Sequence, residues 1–257
     1  MHAFVWHPPA QRPLAGAVLE PKRAENVDAT VRFGLLWHEG DALAAEQFIS
    51  SLLARVPHDA VAVDLHGVPA GAAATWLHWL GPLGFAPRER VVLHFDLSDV
   101  PPLGLPLILE GWTLESDAAL RRLYASAERL DVSDAHWSWR KRHGGRFEPD
   151  LWFLVRETPD QEAMGYAFVH AAGDRNARDG FDTKYRLEAA GVLPEYRGDS
   201  EAARRLLLTL LRELAGRSPF GTILTEADAN DGPWMNILYA LGFREVGRSR
   251  TLERTPG

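Results

Sequence analysis

The run Val192-Leu193-Pro194-Glu195-Tyr196-Arg197-Gly198-Asp199-Ser200-Glu201-Ala202 constrains this chain more than any other stretch. An apolar segment stops at a proline and a polar turn follows. Leucines then recur at helical spacing through Leu206, Leu207, Leu210, Leu211 and Leu214. The pattern reads as a strand handed through a short turn to an amphipathic helix. The N–H groups at a helix start lack partners and point along the helix dipole, so such a turn is a ready seat for an anion. The plainer reading, a helix start capped by Asp199 or Ser200, stays open on these residues alone.

Composition narrows the partners. A net charge of −7 argues against a nucleic-acid groove or an anionic membrane as the main partner and suits an amine-bearing one. With no cysteine in 257 residues, disulfides, thiolate zinc sites and an acyl-cysteine intermediate are all excluded. No apolar run approaches the roughly 20 residues of a membrane span, and Met1–Pro13 lacks a basic-then-apolar leader pattern. The expectation is a cytoplasmic protein, monomer or homodimer, with no nucleic-acid or membrane partner.

Pro101, Pro102 and Pro106 flank Leu103, Gly104 and Leu105, a segment that cannot run as a helix or a central strand. It is taken as a linker (101–106) between a first domain, 1–100, and a second, 107–257. In the second, Leu107–Trp112 reads as a strand, and Ser116 or Asp117 caps a helix bearing Leu120, Leu123 and Leu130. Ser133 and Asp134 cap another helix, carrying Trp137 and Trp139. Strands Leu151–Arg156, Gly165–Val169 and Lys184–Leu193 follow, then helix Glu201–Leu214, strand Thr222–Glu226, helix Trp234–Leu241 and a strand near Glu245–Leu252. Periodicity alone says α/β or α+β with a mixed sheet.

The turn and the later run Asn230-Asp231-Gly232-Pro233-Trp234-Met235-Asn236-Ile237-Leu238-Tyr239-Ala240-Leu241-Gly242-Phe243 resemble two motifs of the GNAT superfamily of N-acetyltransferases. One is a pyrophosphate loop, Arg/Gln-x-x-Gly-x-Gly/Ala, here Arg197-x-x-Ser200-x-Ala202. The other is a closing Tyr-x-Leu-Gly-Phe. The resemblance implies the GNAT acyl-CoA N-acyltransferase fold, and acetyl-CoA as acyl donor with no metal. The acceptor would be the primary amine of a small molecule, attacked directly in a ternary complex. On it, Arg197, Gly198, Asp199, Ser200, Glu201 and Ala202 hold the pyrophosphate, and backbone groups at Val192 and Leu193 align the pantetheine arm and polarise the thioester carbonyl. Tyr239 gives a proton to the leaving thiolate, a role open to a phenol with its ordinary pKa of about 10. Family members carry an Asn seven residues before this Tyr, where Gly232 stands; Asn230, nine before, is the remaining pantetheine contact.

For the general base, the position where the family often has a Glu is Arg186. Glu188, on the same strand face, is the base expected here, and Glu226 is the runner-up. Trp137, Trp139, His136 and His143 lie where the fold lines its acceptor pocket. Trp137 and Trp139 cannot share a helix face, and His136 with His143 lacks a third ligand, so no metal site is expected.

The first half repeats the second at an offset of 158: Gly40–Asp41 with Gly198–Asp199, Ala44–Ala45 with Ala202–Ala203, Trp76 with Trp234, and Gly84–Phe85 with Gly242–Phe243. This reads as two tandem copies, the first truncated and degenerate, in a layout resembling mycothiol synthase. In the first copy Glu39 stands for Arg197 and Gly81 for Tyr239, so residues 1–100 are read as structural. Two other readings remain: a non-catalytic acyl-CoA-binding or regulatory protein, and transfer of a different acyl group.

Overall fold

The computed structural model describes residues 2–6, 15–20, 30–38, 47, 50–51, 60–64, 77–78, 80–102, 104–129, 132, 134, 137–138, 141, 147–172, 182–196 and 200–254. Its strands are β1 (His2–Trp6), β2 (Ala15–Glu20), β3 (Thr30–His38), β4 (Ala60–Asp64), β5 (Phe85–Asp96), β6 (Ile108–Gly111), β7 (Trp152–Arg156), β8 (Gly165–Ala172), β9 (Lys184–Val192), β10 (Thr222–Asp228) and β11 (Arg244–Arg254). Its longer helices are α1 (Asp117–Glu128), α2 (Ser200–Arg217) and α3 (Gly232–Leu241). The expected elements from Leu107 onward are present, most with ends within three residues of those read from the pattern, apart from the helix carrying Trp137 and Trp139, which lies largely outside the described residues.

Compactness divides the chain into Met1–Arg90 with Ser249–Gly257, and Val91–Arg248. The Pro-rich segment 101–106 therefore lies inside the second unit and not at its edge. The reason is β5. Val91, Leu93 and Phe95 alternate along it at 1, 0 and 2 % exposure, and Leu97 just beyond is at 2 %. All four belong to the same core as α2 and α3. The prolines end a core strand's connection; they do not separate two cores.

The second unit holds a mixed sheet in the order β11-β5-β10-β9-β8-β7-β6. β6 to β9 pair antiparallel, and β9 with β10 parallel. Each face has its own core, because side chains alternate along a strand. On β8, Ala167, Val169 and Ala171 join the core under Leu206, Leu207, Leu210 and Leu211 of α2 and Leu238 of α3. Tyr166 and Phe168 turn to the other side and join Leu120, Leu123 and Tyr124 of α1, with Trp137 and Trp152. Trp152 stacks on Phe168 at 4.2 Å between ring centroids.

The β8–β9 ladder contains a bulge. Phe168 pairs with Ala189 but Val169 with Leu187, so Glu188 is the extra residue. Its effect is a change of parity. Tyr185 and Leu187 before it, and Val192 after it, all reach the α2 core, which an unbroken alternation would forbid. Glu188 stays on the opposite face with Arg186.

In the first unit, β1–β2 and β2–β3 pair antiparallel and β3–β4 parallel, and Thr251–Arg254 of β11 add antiparallel to β4. This is the pairing sequence of β7 to β10. It too has a bulge, since Val18 pairs with Leu35 and Leu19 with Phe33, and the extra residue is Gly34. The two bulges lie four residues out of the offset of 158, which holds among the described residues from Leu80 on: Leu80 and Leu238 are both 0 % exposed, and Phe85 and Phe243 both 3 %. Gly84 and Gly242 both end a helix with φ of 86° and 101°. Glycine meets that left-handed requirement without a Cβ clash. The pairs at Gly40–Asp41, Ala44–Ala45 and Trp76 fall outside the described residues.

Candidate active site

The parallel ladder between β9 and β10 runs from Lys184 with Thr222 to Leu187 with Thr225 and stops there, although β9 continues to Val192 and β10 to Asp228. From Glu188 on, β9 has lost this neighbour, and its backbone groups on that side are open to a ligand's amides. The bulge sits at the point of parting. Glu188 as a residue is half-buried while its side chain is 3 % exposed, so what is open there is main chain.

Four charged or ionisable side chains gather on this face of β8, β9 and β10. Arg186 reaches Glu226 Oε1 at 2.6 Å. Glu188 Oε1 lies 2.8 Å from His170 Nδ1, with the two side chains 3 and 4 % exposed. That approach is off the direction of an aligned hydrogen bond. His170 Nδ1, Glu188 Oε1 and Glu226 Oε2 are buried without a hydrogen-bond partner among the described residues. Buried polar atoms in that state are uncommon and collect where something is meant to bind. Arg186 already neutralises Glu226, so Glu188 is the more available of the two carboxylates named from sequence. His170 was not singled out at all; its one signal was a lone imidazole on the Tyr166–Phe168 face of an otherwise apolar strand.

Past the parting, Val192 is buried at 5 % opposite Gly165, where an added Cβ would lie 2.6 Å from the carbonyl oxygen of Gly191. The Leu193 N–H donates to Met164 O at 2.8 Å, so a polarising N–H at this strand end has to come from another residue. A turn over Pro194–Tyr196 follows, with Tyr196 N–H donating to Leu193 O at 2.9 Å. Arg197, Gly198 and Asp199 lie outside the described residues. The helix α2 begins at Ser200. Glu201 in its first turn is exposed and 3.2 Å from Arg204, and Ala202 is 5 % exposed within the core. The small side chain of Ala202 thus lets the helix sit close on the sheet.

At the end of β10, Asn230 is held by Asp228, whose Oδ1 accepts from the Asn230 backbone N–H at 2.9 Å and from Nδ2 at 3.2 Å. Asp231 caps α3 by accepting from the Trp234 N–H at 3.1 Å. Tyr239 projects from the outer side of α3, 44 % exposed, while Met235, Leu238 and Leu241 face inward. Its hydroxyl donates to Glu245 Oε2 at 3.5 Å. The hydrogen bond from Arg248 holds the Glu245 carboxyl below its ordinary value against a smaller desolvation, so the phenol has an anion beside it. At the first-unit counterpart, Gly81, an added Cβ would meet nothing within 4 Å.

Trp137 is structural. It is 3 % exposed, and its Nε1 donates to Asp117 at 3.0 Å alongside Trp112 at 2.7 Å and Lys141 at 2.9 Å. Burial pushes the Asp117 carboxyl up, and these three donors outweigh it, leaving the group below its usual range. Asp117 thereby pins the following segment to α1. The helix cap expected from Ser116 is a turn instead, its hydroxyl accepting from the Thr113 N–H at 2.8 Å. Trp139, His136, His143 and Leu130 lie outside the described residues. Among the described residues no cluster could hold a metal ion, and no helix is long and apolar enough to cross a membrane.

No protein-family model matches the sequence, and neither does any curated protein. Solved structures do match. A GCN5-related N-acetyltransferase from Sphaerobacter thermophilus aligns over 98 % of this chain and 80 % of its own, with a TM-score of 0.57 at 18 % identity. A GCN5-related N-acetyltransferase from Anabaena variabilis aligns over 96 % and 61 %, with a TM-score of 0.53 at 12 % identity. A tandem GNAT protein from the clavulanic acid biosynthesis pathway aligns over 99 % and 82 %, with a TM-score of 0.51 at 17 % identity. The chain has the GNAT fold, a mixed sheet whose parallel pair β9–β10 parts beside a bulged glutamate.

Proposed function

We propose that the chain is an acyltransferase that moves the acetyl group of acetyl-CoA to the primary amine of a small molecule, by direct attack in a ternary complex. The observation that carries this reading is the parting of β9 from β10 beside Glu188. An extended chain of amides such as pantetheine can lie along the freed strand, with the reacting carbonyl near the bulge. The continuation of β9 leads through Arg197, Gly198 and Asp199 to the start of α2 at Ser200, Glu201 and Ala202. There backbone N–H groups, the helix dipole and one guanidinium would hold a pyrophosphate. Asn230, fixed by Asp228, would contact the pantetheine arm at the end of β10.

Transfer then needs a neutral amine and an acid for the thiolate. Proton removal is assigned to the station of Glu188, and proton donation to Tyr239. The amine nitrogen bonds to the carbonyl carbon, the carbon–sulfur bond breaks with its electron pair on sulfur, the phenol proton goes to sulfur, and the surplus proton on the new amide nitrogen leaves and restores the phenol. Having no cysteine, the chain forms no acyl-cysteine intermediate.

The first unit is read as a degenerate copy that supports the fold without chemistry. At the offset of 158, Gly81 stands in place of Tyr239 and Glu39 in place of Arg197, and the β3 bulge, four residues out of that register, holds Gly34 where the β9 bulge holds Glu188. A non-catalytic acyl-CoA-binding role is the second reading, favoured by the Leu193 N–H being committed to Met164. A panel of small primary amines incubated with acetyl-CoA separates the two. Release of free CoA that depends on an amine is expected; CoA binding without release from any amine, or from longer acyl-CoA donors, favours the second.

A further inference from the structure

The carboxylate of Glu188 has one polar neighbour among the described residues, the imidazole of His170 on the next strand. We propose, on the acyl-transfer reading above, that His170 and Glu188 take the proton of the incoming amine as one unit. Glu188 stays an anion and orients the ring, and the imidazole receives the proton.

Three observations lead there. At 2.8 Å, Nδ1 and Oε1 are within reach of a hydrogen bond that they do not yet align, and turning the ring into line lets Nδ1–H donate to the carboxylate. The neutral ring then has its free lone pair on Nε2. Secondly, a carboxylate this dry needs a compensating charge, and the nearby guanidinium of Arg186 is spent on Glu226 at 2.6 Å. An imidazolium supplies that charge when the proton arrives. Thirdly, the bulge lets Glu188 stay on the His170 face while the rest of the strand changes parity. An unligated catalytic pair is often imperfectly aligned, as here, and tightens in the complex.

In the step itself, an N–H bond of the substrate ammonium breaks and its electron pair remains on the amine nitrogen. The proton bonds to Nε2 through the ring's lone pair. The pair passes from one negative charge to none, and the amine is free to attack.

Among the described residues, the charged groups near His170 have contacts of their own. Arg186 is its register partner on β9, and Glu226 on β10 is bonded to Arg186. Glu148, from the segment before β7, accepts from the N–H of Ala171 at 3.2 Å. Glu128 of α1 accepts from the hydroxyl of Tyr166 at 2.6 Å. These three hydrogen bonds go to partners other than the imidazole.

The test needs no substrate. In the full chain with ¹⁵N-labelled histidine, His170 is assigned among the ten histidines by the signal lost in His170→Gln. The neutral native ring should carry its proton on Nδ1, because the carboxylate accepts there and fixes the tautomer. In Glu188→Gln the neutral ring should shift toward the Nε2–H form. A tautomer unchanged in Glu188→Gln would overturn the proposal. Should that variant not fold, the native spectra decide: a neutral ring in the Nε2–H form contradicts the pair, and one in the Nδ1–H form supports it. A tautomer that shifts in a protein that turns over no amine would leave the pair standing and remove only the acyltransfer reading.

Discussion

A chain that begins at Leu103 should not fold cooperatively, although it contains every residue assigned to the candidate site. Such a chain lacks β5, and with it Val91, Leu93, Phe95 and Leu97, all nearly fully buried in the second unit's core. Each such side chain contributes about 1.5–3 kcal/mol when removed from water, so the four together come to roughly 6–12 kcal/mol. A domain's whole stability is about 5–15 kcal/mol. The cut also removes the Leu97 N–H bond to Gly221 O at 2.9 Å, the Phe95–Phe243 ring contact at 5.1 Å and the Arg244–Asp96 ion pair. The paired edges of β10 and β11 would be left bare, which favours aggregation. A chain starting at Phe85 keeps β5 whole and should recover a cooperative melt. Circular dichroism melts of the two distinguish the cases. A sharp transition for the 103–257 chain, within a few degrees of the full protein, would show that β5 is dispensable and that the prolines do mark the boundary.

Tyr239→Phe should lower kcat while leaving acetyl-CoA binding and stability nearly unchanged. The side chain stands on the exposed face of α3, and its hydroxyl makes a long 3.5 Å contact with Glu245. Removing the oxygen therefore takes away no buried packing and no strong hydrogen bond. If the phenol protonates the thiolate, the loss is that of a single acid or well-placed donor, roughly 10- to 1000-fold in kcat. If it is only a surface tyrosine, the Phe variant is silent. Kinetics on the full chain with an amine identified from the panel, together with a thermal melt, read both. Full activity in the Phe variant removes the tyrosine from the mechanism.

Most of the second unit was legible because its elements are long and strongly periodic. The leucines of α2, the alternation of β10 and the Gly242–Phe243 close each have one physical reading, and the structure has them. Two things were not legible. Alternation along Val91–Phe95 says that a strand is there and which residues are buried. It does not say which sheet takes the strand, because pairing is decided by contacts far away in sequence. The bulge at Glu188 is hidden by its own neighbours. Ala189, Ala190 and Gly191 have little side chain with which to signal a change of face. His170 escaped for a related reason: a single polar residue in an apolar strand is ordinary until the opposite strand shows a buried carboxylate across from it. The spacing of 158 that suggests an internal repeat pairs Gly84 with Gly242, and these two glycines share a positive φ as well as a following phenylalanine.

The central claim, that one site at the start of α2 and the parted strands takes CoA while the first unit takes none, is tested most directly by calorimetric titration of CoA into the full chain. The account predicts one CoA per chain with a Kd of about 1 μM or tighter, near −8 kcal/mol, and a clear weakening in Arg197→Ala but none in Glu39→Ala. No heat together with no thermal shift at excess CoA, or two equivalents bound per chain, would contradict it.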